Sequence, residues 1–170
     1  LPFYFDFAES KVWYPNLAID YYRTFASQYI SFVTREEKLV RYPLSLAQIR
    51  EYGVVHHHEP LVNDVDFLVQ HQEVRGSYDL MWKTASYAPH RFAAVLDIRF
   101  LVILDEFQNI TEYVYPDPLY QTSPIETLAG SFHSLAESKV APMLVTGSYV
   151  GWLMSIIGKY LEAGRLKPIR

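Results

Sequence analysis

The period of apolar and polar positions changes repeatedly along the chain, and each change marks an element. Residues 2–8, Pro-Phe-Tyr-Phe-Asp-Phe-Ala, are dense in aromatics and end near Asp6 and Glu9, which predicts a strand running out into a polar turn. From Pro15 or Asn16 to about Val33, the spacing of Leu17, Tyr21, Phe25, Ile30 and Val33 is helical, and Pro15 suits a first turn. This aromatic stripe is core packing rather than a ligand box. Ser45-Leu46-Ala47-Gln48 has capping-box spacing and Gly53 supplies a stop, so a short helix is predicted between them. Leu61, Val65, Leu68 and Val69 predict a further helix closed near Gly76, and a helix over residues 78–96 is expected to be interrupted or kinked at Pro89.

The run Phe100-Leu101-Val102-Ile103-Leu104 is of another kind. Its apolar residues follow one another without alternation, as in a parallel-sheet strand buried on both faces, and they deliver two adjacent carboxylates, Asp105 and Glu106. A Pro-rich loop is expected from Asn109 to Pro124, and a helix from Ser123-Pro124 to about Ser138. Residues 142–145 predict a strand ending in Thr146-Gly147-Ser148, residues 149–161 a helix, and the segment from Arg165 the opening of another strand. Strands alternate with helices and no hairpin signal intervenes, so the fold class is α/β with a parallel sheet. The acidic strand and the Thr-Gly-Ser strand are expected to be neighbours.

Composition narrows the function classes. A chain of 170 residues that is 50% hydrophobic and 16% aromatic supports one domain with a substantial core. No apolar run approaches the roughly 20 residues that cross a bilayer, so no membrane partner is expected. A net charge of -4 gives no electrostatic footprint for nucleic acid. The absence of cysteine removes disulfides, thiolate metal sites and a cysteine nucleophile, and agrees with a cytoplasmic location. The chain opens inside a strand without Met or a signal-peptide pattern, so the sequence reads as a fragment.

Two adjacent carboxylates at a strand tip have a specific use. Ligands of open parallel sheets sit beyond the carboxyl ends of the strands. There, one carboxylate can hold Mg²⁺ through its water shell while the next polarises an attacking water. A hydrolase that senses a γ-phosphate also needs a hydrogen-bonding side chain on the adjacent strand, where Thr146 and Ser148 stand. The plainer reading of Asp105-Glu106 is a strand ending in a solvated turn.

With Phe107-Gln108-Asn109 after the carboxylates, then the segment from Val140 to Ser148 and Gly164-Arg165, the chain resembles the archaeal-type P-loop ATPases of the AAA+/STAND group. The resemblance implies a partial P-loop NTPase of the ASCE type, a three-layer sandwich with a parallel sheet, truncated within residues 1–170 and carrying a helical insertion at residues 34–76. It implies ATP and Mg²⁺ as ligands. Asp105 would be the Walker B metal-coordinating residue and Glu106 the catalytic glutamate. Gln108 or Asn109 would orient water, Thr146 or Ser148 would be the sensor-1 residue, and Arg165 would contact phosphate or a neighbouring domain. The chain departs from the pattern in one large respect, since no G-x-x-x-x-G-K-[ST] loop occurs in it. In the family that loop precedes the strand here at residues 2–8, and its strand lies between the one ending at Thr146 and the one starting near Arg165. Two exposed sheet edges and weak or no ATP binding by this chain alone are therefore expected.

Other signals are weaker. His56-His57-His58-Glu59 matches no H-E-x-x-H spacing and is expected to be an exposed polar turn. His71, His90 and His133 lack convincing partners in the sequence. Gly-Ser-Tyr-Val-Gly carries its serine at the wrong position for a nucleophile elbow, and Gly147 and Gly151 lack the third glycine of a dinucleotide fingerprint. Two function classes follow: an ATP-hydrolysing switch that engages a protein partner or further domains, and a non-catalytic interaction scaffold derived from one.

Overall fold

A computed structural model describes residues 1–161. Arg165 and the strand expected near it lie outside the described residues. Three strands, β1 (Pro2–Asp6), β3 (Leu101–Asp105) and β5 (Met143–Val145), form a parallel sheet in the order β1-β3-β5. The register pairs Tyr4 with Ile103 and Asp6 with Asp105 on one side, and Leu104 with Val145 on the other. The chain is thus α/β with a parallel sheet, and the acidic and Thr-Gly-Ser strands are neighbours. A second parallel ladder, β2 (Val12–Trp13) with β4 (Val114–Tyr115), was not signalled by the sequence, because two-residue strands are too short to show a period.

Helix α1 (Tyr14–Thr34) covers the sheet with the stripe that its spacing predicts: Tyr21 and Phe25 are fully buried. Phe3 packs edge-on against both, with ring centroids 5.1 and 5.4 Å apart. Such pairs contribute about 0.5–1.5 kcal/mol each beyond the area they bury. The opposite sheet face is different. Tyr4 is 44% and Leu101 43% exposed, whereas Val102 and Leu104 on the covered face are buried. The three-layer sandwich is therefore not formed among the described residues, and β3 is half-buried rather than buried on both faces. An uninterrupted apolar run does not distinguish the two cases.

Residues 38–71 form α2 (Lys38–Arg41), α3 (Leu46–Val55) and α4 (Glu59–His71). The Ser45–Gln48 capping box is present in full. Gly53 does not stop α3. A Cβ there would lie 2.9 Å from Val62 Cγ2 and 3.1 Å from Leu61 Cβ, so this glycine permits the close approach of α4. Of the two alternatives near Pro89 the interruption is the one found: α5 (Tyr78–Ser86) ends before α6 (Ala88–Leu96), with Pro89 in the first turn of α6. In place of an α-helix over 123–138, two 3₁₀ segments run over Glu126–Phe132 and Leu135–Glu137. Ser131 Oγ donates to the Leu128 carbonyl at 2.7 Å, a local bond that competes with α-helical pairing. Helix α7 (Val150–Tyr160) follows β5 as expected.

Candidate functional site at the β3 and β5 tips

The parallel register sets the site. Leu104 and Val145 are partners, so the residues that follow each leave the sheet side by side at its carboxyl end. The Thr146 N–H donates to the Leu104 carbonyl at 2.9 Å, and the Phe107 N–H to the Thr146 carbonyl at 3.0 Å, which continues the ladder past both strand ends. Between these bonds Glu106 adopts the left-handed conformation, φ 48° and ψ 39°. For a residue with a Cβ that conformation costs on the order of 1–2 kcal/mol. The backbone turns there into the buried 3₁₀ segment Phe107–Thr111.

Each carboxylate is met by side chains that the sequence singled out. Thr146 Oγ1 and the Glu106 N–H, the latter at 3.0 Å, donate to Asp105 Oδ1. Asp105 Oδ2 accepts from the Tyr4 hydroxyl at 2.8 Å. Glu106 Oε1 accepts from Ser148 Oγ, and Oε2 accepts from Gln108 Nε2 and from the Ser148 N–H at 3.2 Å. Asp105, Glu106, Gln108, Thr146 and Ser148 therefore form one network. Asn109 serves the scaffold instead: its amide is buried and donates to the Phe7 carbonyl at 2.8 Å, tying the 3₁₀ segment to the end of β1.

These bonds fix the charge states. The Thr146 and Tyr4 hydroxyls hold the Asp105 carboxyl below its ordinary range, against a smaller opposing effect of burial. The Ser148 hydroxyl and N–H, with the Gln108 amide, do the same for Glu106. The Tyr4 phenol is pushed up to about 12, chiefly by its bond to Asp105. Asp6, beside Asp105 in the register, is shifted upward by burial and by the charges of Asp105 and Glu106. Asp105 and Glu106, both held ionised, and the protonated Tyr4 phenol thus meet at the carboxyl end of the sheet at neutral pH.

A hydrated divalent cation can be tested against this geometry. A carboxylate offers about four acceptor directions. Three are used on Asp105 and three on Glu106, so each keeps one for a water or a metal-bound water. That fits a cation held mainly by water and phosphate oxygens, the usual manner for Mg²⁺. It does not fit an all-protein metal cage, and among the described residues no group of three or more His, Asp or Glu is arranged to hold an ion. Among the described residues the ion pairs Arg23–Asp20, Lys38–Glu36, Arg50–Asp66 and Arg91–Asp64 all lie away from the tip carboxylates.

Gly147 leaves no room for a side chain beside Gln108. Gln108 is fully buried, and a Cβ on Gly147 would stand 2.0 Å from its Oε1. Tyr4 and Gly147 are participants that the sequence reading missed. Tyr4 was detectable, because it lies two residues before Asp6 and so shares its sheet face. Gly147 was not, since the approach of Gln108 depends on the turn at Glu106.

The histidine run divides. His56 and His57 are exposed in the turn between α3 and α4, as expected. His58 is half-buried, shares a 3.0 Å bond between Nε2 and the Tyr29 hydroxyl, and stacks on Phe92. His71 has a local partner in the Phe67 carbonyl at 2.8 Å, and His90 a distant one in Ser138 Oγ at 2.9 Å. No helix among the described residues is long and apolar enough to cross a membrane. No family model, no curated protein and no solved structure matches the chain.

Proposed function

We propose that this chain is the Walker B and sensor-1 half of a P-loop ATPase of the AAA+/STAND group, an ATP-binding and ATP-hydrolysing module that acts as a nucleotide-driven switch. One observation carries the reading: two hydroxyl side chains on the tip of β5 are bonded, one each, to two adjacent carboxylates on the tip of the neighbouring parallel strand. A solvated strand cap has no need of such pairing. In this reading Asp105 holds Mg²⁺ through its waters, and the acceptor position left on Glu106 takes the attacking water. Gln108 and Ser148 fix the Glu106 carboxylate, and Thr146 couples the state of the metal site to β5. When bound, Mg²⁺ neutralises charge on the phosphates.

The strand order β1-β3-β5 also agrees with this assignment, and among the described residues the outward sheet face and the far side of β5 are left for further elements of the sandwich. Arg165 keeps its proposed role toward phosphate or a neighbouring domain, and residues 34–76 their role as a helical insertion toward a protein partner. The test is Mg²⁺-dependent ATP hydrolysis by the protein encoded by the full reading frame, with and without Glu106→Gln. Hydrolysis lost with nucleotide binding retained supports the module. Turnover that survives the substitution refutes the role of Glu106.

The second reading, a non-catalytic scaffold, draws on the acidity of the tip. With Asp6, Asp105 and Glu106 together and no ion pair to them among the described residues, a polyphosphate meets net repulsion until a cation and a basic phosphate cradle are supplied. The 170-residue chain alone is accordingly expected to bind ATP weakly or not at all. Tight binding in a direct titration would refute that expectation.

A further inference from the structure

Tyr4 is the one group bonded to the Asp105 carboxylate from β1, and its own position is unusually constrained. The Gln28 side chain on α1 accepts from the Tyr4 N–H through Oε1 at 2.9 Å and donates to the Tyr4 carbonyl through Nε2 at 2.7 Å. A primary amide bonded in both directions to one residue does what a neighbouring strand would do. It pins the outward-facing backbone of β1 at the residue whose phenol reaches Asp105 Oδ2. The aromatic body of Tyr4 remains 44% exposed, so burial does not account for this restraint.

We propose that Tyr4 is a positioning residue for the divalent cation, and that Gln28 holds it in place. The inference rests on the assignment of Asp105 as the cation-facing carboxylate. Thr146 and the Glu106 N–H saturate Oδ1, and the phenol occupies one of the two acceptor directions of Oδ2. Together they leave the carboxylate one orientation and one open acceptor direction. Without the phenol the carboxylate can turn about its terminal bond, and the open direction is no longer fixed. Partners that orient a metal ligand in this way commonly change metal affinity by about 10–100-fold.

The experiment is a Mn²⁺ titration of the 170-residue chain, read as paramagnetic broadening of its amide resonances, which reports weak sites without requiring turnover. The resonances of residues 105–106 and 146–148 are compared with those of α3, remote from the tip. In the unsubstituted chain the tip is expected to broaden first, and Asp105→Asn to abolish that selectivity. Tyr4→Phe keeps the ring and is expected to raise the midpoint about tenfold. Gln28→Ala keeps the phenol and is expected to raise it by less, and it serves as the independent variant if Tyr4→Phe perturbs folding. Selective broadening with a midpoint unchanged or lowered by both substitutions would overturn the role of Tyr4 while leaving Asp105 in place. No selective broadening, or broadening that survives Asp105→Asn, would overturn the cation assignment and this inference with it.

Discussion

Gly147→Ala is the sharpest perturbation of the site, because it adds one methyl group and no backbone strain. Gly76 is the one glycine with positive φ among the described residues, so alanine at 147 is sterically permitted by its own backbone. The added Cβ, however, would lie 2.0 Å from Gln108 Oε1, 3.0 Å from its Cδ and 3.4 Å from Leu153 Cδ2. Gln108 is fully buried, so its amide cannot swing into solvent. To clear the methyl group it must rotate, and rotation withdraws Nε2 from Glu106. Overpacking in a filled site costs about 1–3 kcal/mol. Leaving the buried Gln108 amide without its acceptor costs about 1–3 kcal/mol. Allowing for partial relaxation, Gly147→Ala should destabilise the chain by about 2–4 kcal/mol, a large share of the roughly 5–15 kcal/mol that stabilises a typical domain.

Urea unfolding measures that loss, and a double-mutant cycle assigns it. In a Gln108→Ala background the clashing atoms are gone, and Gly147→Ala should then cost less than about 0.5 kcal/mol. Gln108→Ala alone is destabilising, since it empties a filled position, but its cost does not enter the difference. If Gly147→Ala is neutral in the parent chain, or equally costly in both backgrounds, then Gln108 does not abut Gly147 and the account of the tip network fails.

Three further outcomes are expected. Burial pushes the Asp64 carboxyl up to about 6 although Arg91 pulls it down through bonds of 2.8 and 3.0 Å, so the folded chain holds that proton more tightly than the unfolded chain; stability should fall as pH rises from about 4 to about 6, and Asp64→Asn should remove that part of the slope in pH-dependent urea melts. Gln28→Ala should remove the acceptor from the Tyr4 N–H and sharply raise its hydrogen-exchange rate while the amides of α3 keep theirs. Ser45→Ala deletes the half of the α3 capping box made by the Ser45 hydroxyl, while the Ser45 N–H keeps its bond to Gln48 Oε1, and should cost about 0.5–2 kcal/mol by thermal unfolding, whereas Ser45→Asp should restore most of it.

How much of this was legible in the sequence depended on whether the determinant was local. The α1 stripe, the Ser45–Gln48 box and the break near Pro89 were readable because each is set within a few residues, by side-chain period, by capping chemistry or by a missing N–H. Gly53 misled for the converse reason. A glycine near a helix end usually marks a stop, but here its missing Cβ admits α4, and nothing within α3 signals that. The 3₁₀ segments after residue 125 bury Leu128, Phe132 and Leu135 but lack the expected α-helical pairing, because apolar spacing over two turns does not separate the two helix types.

The site divides along the same line, and the division explains why its membership could be anticipated while its geometry could not. Asp105 and Glu106 were visible as charges ending an apolar run, and Thr146 and Ser148 as polar residues ending another. Once parallel neighbours were inferred from alternating strands and helices, their meeting followed from topology. What topology does not specify is which hydroxyl serves which carboxylate. That is decided by the left-handed turn at Glu106, which directs its side chain to Ser148 and leaves Asp105 to Thr146. A residue with a Cβ held in this conformation is retained only where its surroundings fix it, and here Gln108 and Ser148 hold the carboxylate while the Phe107 N–H holds the backbone. Strain at Glu106 and the paired hydroxyls are therefore one device: the turn places two like charges side by side at a strand tip, and β5 supplies the donors that keep both ionised there.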